Sequence, residues 1–253
     1  MSAAADMLEV DAFLQTLDQT PPNAVTACRG WTTHELIAHL ASGADAFAAQ
    51  VEAHLEGRTV PEFGAWDVRE PPYRAMDDAV LRRRLQAGER RMTAAFEAML
   101  AADPQVAVPE VGWGLPVAEL VTHMRQEFAI HRWDLVGDDE LGLELLGRQY
   151  LTEHSVRLLG DSLLGGLRQD PAPNEPLRVR IRCASLADLV VRVGEGTGAL
   201  TMEPQDESAH VVETDPAARL LLLWGRRPTD AGRVRSSLAP EQLARLQTVL
   251  TGY

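Results

Sequence analysis

The sequence contains no lysine, so all 24 of its basic residues are arginine. It also contains 37 acidic residues, which gives a formal net charge of −13. An acidic excess of this size repels phosphate backbones and anionic lipid surfaces, and no cluster of arginines interleaved with aromatic residues offsets it. We therefore predict that neither nucleic acid nor a membrane is a partner of this protein.

Cysteine is scarce, and long apolar runs are missing. The 2 cysteines, Cys28 and Cys183, lie far apart in the chain, which excludes a disulfide scaffold and a four-cysteine zinc site. No basic segment followed by an apolar run opens the sequence, and no stretch approaches the ~20 apolar residues that span a bilayer. These features predict a soluble protein of the reducing cytoplasm.

The remaining composition is that of an ordinary globular protein, with 253 residues of which 45% are hydrophobic. This length allows one large domain or two small ones, each with a real core. Apolar residues recur at helical spacing through the first two thirds of the chain. Because each helix must bury one apolar stripe, an antiparallel bundle is the simplest arrangement. The predicted helices are 7–17, 32–57, 75–102, 117–136 and 143–164.

The hydrophobic period changes after a proline-rich linker at 165–176. Residues 177–182 alternate apolar and basic side chains, as a half-buried strand does. Further strands are predicted at 189–193, 199–202 and 209–212, and two helices at 216–224 and 240–250. The sequence therefore predicts an α+β protein with two domains. A four-helix bundle takes residues 1–168, and a small α/β domain with a mostly antiparallel sheet takes residues 175–253.

The fourth predicted helix carries two residues typical of a metal site. Glu127 and His131 are four positions apart, so they lie about 40° apart on the helix surface and both can point at one atom. His39 lies among apolar residues of the second helix, which directs its imidazole to the interior or to a cleft. If the two helices are neighbours, these side chains supply two nitrogens and one carboxylate and leave coordination positions open. Open positions are typical of a catalytic metal centre.

Other interpretations of these residues remain open at this point. A single interior histidine such as His39 is more often hydrogen-bonded in a core than bound to a metal, and Glu127 with His131 also fits a surface ion pair. His123 lies about 80° from His131 and suits a place beside the site better than a ligand position. Asp134 fits either an acceptor for a ligand imidazole or a surface acid near the end of a helix.

Three other kinds of metal site can be compared with the residues of the same segments. His34 and His39 are five positions apart, whereas a zinc-protease helix needs two histidines four apart. Glu35 has capping-box spacing from Thr32, which leaves a two-metal carboxylate bundle with little support. Two histidines and one carboxylate also hold Fe(II) in non-haem oxygenases, so the residue types leave the metal open.

Three segments of the sequence resemble one known family. They are Trp31 with residues 35–40 (ELIAHL), residues 125–135 (RQEFAIHRWDL) and residues 215–226 (DPAARLLLLWGR). In this order they are similar to the mycothiol-dependent maleylpyruvate isomerase family, one of the DinB-like metal-binding four-helix bundles. The resemblance covers nearly the whole chain. It implies that His39, Glu127 and His131 hold a divalent metal, usually zinc, and that the low-molecular-weight thiol mycothiol is the cosubstrate.

The resemblance also implies an activity. A zinc-activated thiolate would add to an electrophilic small molecule, either in the cis–trans isomerisation of a maleylpyruvate-like compound or in thiol S-transfer. Arg226 matches a family position near the domain interface, and we predict that it is catalytic and binds a substrate carboxylate. A basic residue at a helix end is the alternative interpretation of Arg226. We expect Cys28, which has no base near it in the sequence, to be buried packing.

Two alternative functions belong to other classes. A thiol-independent metalloenzyme of a biosynthetic pathway would use the same ligands, with iron as one possible metal. A non-catalytic ligand-binding protein would enclose its ligand without turnover.

Overall fold

The computed structural model describes residues 8–160, 170, 172, 174–184, 186–207 and 210–250. The chain divides into two compact units, and the division falls between Val136 and Gly137. Within the described residues, no helix has both the length and the apolar character that crossing a membrane requires.

The first unit is helical. Helix α1 packs on α6 and α2 packs on α5, while both α2 and α5 contact α6, which makes a four-helix bundle of these elements. Two short helices, α3 and α4, lie in the connection between α2 and α5. The helices are α1 Glu9–Asp18, α2 Thr33–Leu55, α3 Trp66–Arg69, α4 Pro71–Arg74, α5 Asp78–Ala102 and α6 Val117–Val136.

Helix α2 begins at the predicted capping box. The backbone N–H of Thr32 donates to Glu35 Oε2 over 2.7 Å, which satisfies one of the free donors at the start of the helix. Leu36, Ile37 and Leu40 follow and are buried against the other helices of the bundle. This apolar stripe fixes the rotation of α2 about its own axis, and thereby the direction of the polar residues between its members.

The second unit is a five-stranded sheet with helices. The strand order is β3-β2-β1-β4-β5, and every pair is antiparallel except β1 with β4. A two-residue turn joins β2 to β3, where Glu195 and Gly196 both have positive φ, of 52° and 72°. The elements are α7 Glu140–Leu146, α8 Gln149–Leu159, β1 Leu177–Cys183, β2 Asp188–Gly194, β3 Thr197–Glu203, β4 Val211–Thr214, α9 Pro216–Leu223, β5 Val234–Ser236 and α10 Pro240–Val249.

The predicted fold class is confirmed, whereas several details of the prediction differ from the structure, among them β5 and the short helices α3 and α4, which were not predicted. The helix predicted at 143–164 is two helices, because α7 ends at Leu146 with Gly147 as its C-cap, and residues 161–164 lie outside the described part of the chain. Helices α7 and α8 both pack on α9. They therefore belong to the unit that contains the sheet, and the division between the units falls earlier than the predicted boundary between residues 168 and 175.

Candidate metal centre

Helices α2 and α6 bring His39, Glu127 and His131 together. Glu127 Oε2 lies 3.4 Å from His39 Nε2 and 3.5 Å from His131 Nε2. One candidate ligand atom from each residue lies within 4.8 Å of the other two. His131 is buried, and the other two side chains are partly exposed. The helical spacing of Glu127 and His131 thus places both on the side of α6 that faces His39.

The second nitrogen of each imidazole contacts a carboxylate. His39 Nδ1 lies 2.7 Å from Glu70 Oε1, and His131 Nδ1 lies 2.9 Å from Asp134 Oδ2. Both acids are almost completely buried, with exposed fractions of 1% for Glu70 and 2% for Asp134. A carboxylate acceptor at Nδ1 favours the tautomer with its proton on that atom, which leaves the Nε2 lone pair free. The Nε2 atoms of both rings face Glu127.

Glu70 contacts the candidate metal centre through His39, and the sequence did not predict it. It lies between α3 and α4, in a passage whose sequence shows no periodicity. Its other oxygen, Oε2, accepts a hydrogen bond of 2.8 Å from Arg74 Nη2. The Arg74 guanidinium in turn lies over the ring of Trp31, with its Cζ 5.3 Å from the ring centroid. Glu70 is therefore held from one side by arginine and contacts the imidazole of His39 on the other.

The prediction for Cys28 is wrong. Its Sγ donates to Asp134 Oδ2 over 3.0 Å and lies 3.8 Å from His131 Nδ1. The thiol is half-buried and contacts an acid and an imidazole, which are polar partners rather than apolar packing. Asp134 is 106 positions away in the chain, so the sequence around Cys28 carries no sign of this contact. The backbone N–H of Ala27 also donates to the Asp134 carbonyl, over 2.8 Å.

An aromatic ring lies beside the two imidazoles. The ring centroid of Trp31 is 5.2 Å from that of His39 and 6.5 Å from that of His131, with an interplanar angle of 23° to the latter. The two imidazole centroids are 5.4 Å apart. Trp31 therefore packs against both imidazoles on one side of the cluster.

The electrostatic environment keeps the carboxylates of the cluster ionised. Burial raises the pKa of Glu127, but hydrogen bonds from His131 and His39 outweigh it and bring this pKa well below its usual range. Burial also raises the pKa of Glu70. The contacts with His39 and Arg74 outweigh this effect, so that the pKa of Glu70 is lowered overall. Glu127 and Glu70 are therefore negatively charged at neutral pH.

His131 has the opposite shift. Burial lowers its pKa, whereas its contacts with Asp134, Cys28 and Glu127 raise it well above its usual range. In the metal-free protein the imidazolium of His131 thus supplies a positive charge between two carboxylates. A divalent cation between Glu127 and His131 would supply that charge instead and would displace the proton from Nε2.

The chemistry and the spacing of these donors fit a divalent metal such as zinc. Ligand atoms at roughly 2.0–2.2 Å from a tetrahedral zinc lie about 3.3–3.6 Å from each other. The distances from Glu127 Oε2 to the two Nε2 atoms, 3.4 and 3.5 Å, agree with that geometry. A carboxylate at the second nitrogen of each imidazole is also the usual environment of metal-bound histidine.

The other histidines of α2 and α6 lie outside this cluster. His34 Nδ1 lies 3.2 Å from Asp78 Oδ1, and its Nε2 lies 3.1 Å from the carbonyl of Arg74. Both ring nitrogens of His34 therefore contact groups outside the cluster, so His34 and His39 do not form the histidine pair of a zinc protease. His123 is buried on α6, and its charge contributes to the low pKa of Glu127.

Arg226 lies in the second unit, immediately after α9. Gly225 has a φ of 70°, and the backbone N–H of Arg226 donates to the Leu221 carbonyl over 2.8 Å, which is a left-handed glycine termination of the helix. Its Nη1 also donates to the carbonyl of Trp224, over 2.8 Å. These contacts agree with a basic residue at a helix end, and the predicted catalytic role of Arg226 stays a prediction.

Comparison with known proteins gives one family. The model of the mycothiol maleylpyruvate isomerase N-terminal domain matches residues 3–136 of this chain, which is more than half of its length. The match ends at the division between the two compact units. No curated protein sequence is significantly similar to this chain.

Two solved structures share the fold. A crystal structure of mycothiol-dependent maleylpyruvate isomerase has 17% sequence identity and a TM-score of 0.61. A crystal structure of a histidine-to-alanine mutant of mycothiol-dependent maleylpyruvate isomerase has 16% identity and a TM-score of 0.60. Each alignment covers 95% of this chain and 98% of the other. By the match of its N-terminal unit, this chain belongs to the mycothiol maleylpyruvate isomerase family.

Proposed function

We propose that this protein is a metal-dependent enzyme that uses mycothiol as a thiol cosubstrate and adds the mycothiol sulfur to an electrophilic small molecule. The observation that supports the proposal best is the convergence of two imidazole Nε2 atoms on Glu127 Oε2. Each of these imidazoles has a buried carboxylate at its other nitrogen. Membership of the family supports the choice of thiol and of isomerisation as the reaction.

His39, Glu127 and His131 would hold the metal, for which we propose zinc. Zinc in such a site keeps a net positive charge and open positions, and it lowers the pKa of a thiol that binds there. Glu70 and Asp134 would keep a proton on Nδ1 of each histidine and hold the imidazoles in the ligating orientation. Trp31 would keep water from one side of the site.

The reaction that we propose is a cis–trans isomerisation of a maleylpyruvate-like compound. The thiol of mycothiol gives up its proton to solvent, and the resulting thiolate sulfur forms a C–S bond to one carbon of an electron-poor cis double bond, while the electron pair of that double bond moves onto the activating carbonyl group. The remaining C–C single bond rotates. The electron pair then returns, the C–S bond breaks, and the trans alkene and mycothiol are released. In S-transfer, the alternative reaction, the C–S bond remains in the product, and the electron pair takes up a proton from solvent at the neighbouring carbon.

The proposal is tested by metal analysis together with a mycothiol titration. We expect about one zinc per chain in the purified protein, and loss of zinc and of mycothiol-dependent turnover of maleylpyruvate in His39→Ala and Glu127→Ala. His34→Ala is the matched control, because His34 lies on the same helix and contacts Asp78 instead. A protein that takes up no divalent metal, or that turns over its substrate without a thiol, would contradict the proposal. Bound iron with oxygen-dependent turnover would favour the thiol-independent metalloenzyme.

A further inference from the structure

An arginine that the sequence analysis did not single out lies next to the candidate metal centre. Arg69 is the last residue of α3 and directly precedes Glu70, whose Oε1 lies 2.7 Å from His39 Nδ1. Arg69 belongs to the same compact unit as the three candidate ligands, so the structure fixes its position relative to them.

Residues of its own loop hold the guanidinium of Arg69 in place. Its Cζ lies 4.7 Å from the centroid of the Phe63 ring, and Phe63 packs on Phe47 of α2 with ring centroids 4.6 Å apart. Nη1 of Arg69 donates to the carbonyl of Gly64 over 3.2 Å. The side chain is thus anchored by one face and by one of its two terminal nitrogens.

The opposite edge of the guanidinium has no partner among the described residues. Nε of Arg69 is buried without a hydrogen-bond partner, and the bond from Nη1 is the only hydrogen bond of this side chain in that part of the structure. Arg69 also forms no ion pair there, whereas Arg74, five positions later, pairs with Glu70. The Nε–H and the neighbouring Nη2–H form the parallel pair of donors that recognises a carboxylate through two hydrogen bonds.

The charges around Arg69 also favour the binding of an anionic group beside it. Burial lowers its pKa, and the carboxylates of Glu70 and Glu127 raise it in part. Glu70 already accepts from Arg74 and contacts His39. A divalent cation on Glu127 would neutralise the second carboxylate. Arg69 would then be a half-buried cation without a counter-charge, and a carboxylate arriving with the substrate would supply it.

We infer that Arg69 binds a carboxylate of the substrate through Nε and Nη2 and so selects anionic electrophiles at the metal centre. The inference rests on the proposed function, and it adds a specificity residue in the first unit. Arg69 makes no bond to the candidate ligands, so its replacement should affect ligand binding and leave the metal in place.

The test uses maleate, a small cis-dicarboxylate, as the probe in isothermal titration. Wild type, Arg69→Gln, Arg69→Lys and Arg90→Gln are compared after loading with zinc and after chelation. Arg90 is an exposed arginine of α5 and serves as the matched control. We expect Arg69→Gln to weaken maleate binding at least tenfold in the zinc-loaded protein, and by a smaller factor after chelation, because the Glu127 carboxylate then partly balances the charge of Arg69. Arg69→Lys should show a smaller loss, because an ammonium keeps the charge without the paired donors.

The zinc content of all four proteins should be equal, which shows that the site and the fold are intact. Equal maleate affinity in wild type and Arg69→Gln would overturn the inference. Failure of wild type to bind maleate, or equal affinity for the neutral dimethyl maleate, would also overturn it. If wild type takes up no zinc, the proposed function fails, whereas the comparison of the metal-free proteins still decides the role of Arg69.

Discussion

Glu70 Oε1 lies 2.7 Å from Nδ1 of His39, although 31 positions separate the two residues in the chain. Glu70 is almost completely buried, with an exposed fraction of 1%, and among the described residues its carboxylate pairs only with His39 and Arg74. A buried acid of this kind fixes the orientation of its histidine. In the proposed metal site, Glu70 would thereby hold His39 in the ligating orientation.

Replacement of Glu70 by glutamine should lower the affinity for zinc by roughly 10- to 100-fold, because the amide no longer stabilises the Nδ1–H tautomer as a carboxylate does. Asp134→Asn should have an effect of the same size through His131. Competition with a chromophoric chelator measures both affinities. Glu97→Gln, at an exposed position of α5, is the control and should bind zinc as wild type does. Wild-type affinity in Glu70→Gln would show that this acid has no role in metal binding.

The metal-free protein should lose stability as the pH rises above about 6.5. The folded-state pKa of His131 is raised above its unfolded value, so its contribution to the free energy of unfolding is complete below the unfolded pKa and is lost as pH rises through the folded pKa. Glu127 has a lowered pKa, so its contribution is present above about pH 4.5 and is lost as pH falls through the folded value. The contribution of Glu127 and His131 to the free energy of unfolding is therefore largest between about pH 4.5 and about pH 6.5.

Urea unfolding across this pH range measures the effect, with chelator present in one series and zinc in the other. Zinc replaces the proton on His131, so the loss of stability above pH 6.5 should be absent from the zinc series. His131→Gln removes the titrating group and should flatten the alkaline side of the metal-free profile. An unchanged profile in His131→Gln would assign the pH dependence to other groups.

Local sequence signals predicted one part of the site. The offset of four between Glu127 and His131 placed both on one face of α6, and the apolar neighbours of His39 indicated that it points inward. The capping box of Thr32 and Glu35 predicted the start of α2, and the structure confirms it. In each case the information lies within a few residues of the chain, where helical geometry converts spacing into direction.

The contacts of Glu70 and Cys28 with the candidate site were not predictable in the same way. Glu70 lies beside helices of four residues each, which are too short to show a hydrophobic period. Cys28 contacts Asp134 only because the loop before α2 packs on the end of α6. The position of α7 and α8 has a similar cause, since periodicity shows that a helix buries a stripe and does not show which partner covers it.

Cys28 should influence zinc affinity through Asp134. Its thiol donates to Asp134 Oδ2, the same oxygen that contacts His131 Nδ1. Cys28→Ala removes this donor and leaves the carboxylate less firmly placed, so we expect a severalfold loss of zinc affinity in the chelator competition. Cys28→Ser keeps a donor and should stay close to wild type. Cys183→Ala, at the buried cysteine of β1, is the control; a loss of equal size there would point to a general effect on folding.

The role of Arg226 can be determined by measuring the activity and the stability of a variant separately. If it binds substrate, Arg226→Ala should lower kcat/KM of the mycothiol-dependent reaction by at least about 100-fold, since one lost charged contact in a transition state is worth a few kcal/mol. Zinc content should not change. If Arg226 only terminates α9, the loss of its bond to the Trp224 carbonyl should cost about 1 kcal/mol of unfolding free energy and leave kcat/KM unaltered. Arg227→Ala, at the exposed neighbouring position, controls for the removal of one positive charge. Steady-state kinetics and thermal unfolding of the two variants therefore distinguish a substrate-binding arginine from a helix-terminating one.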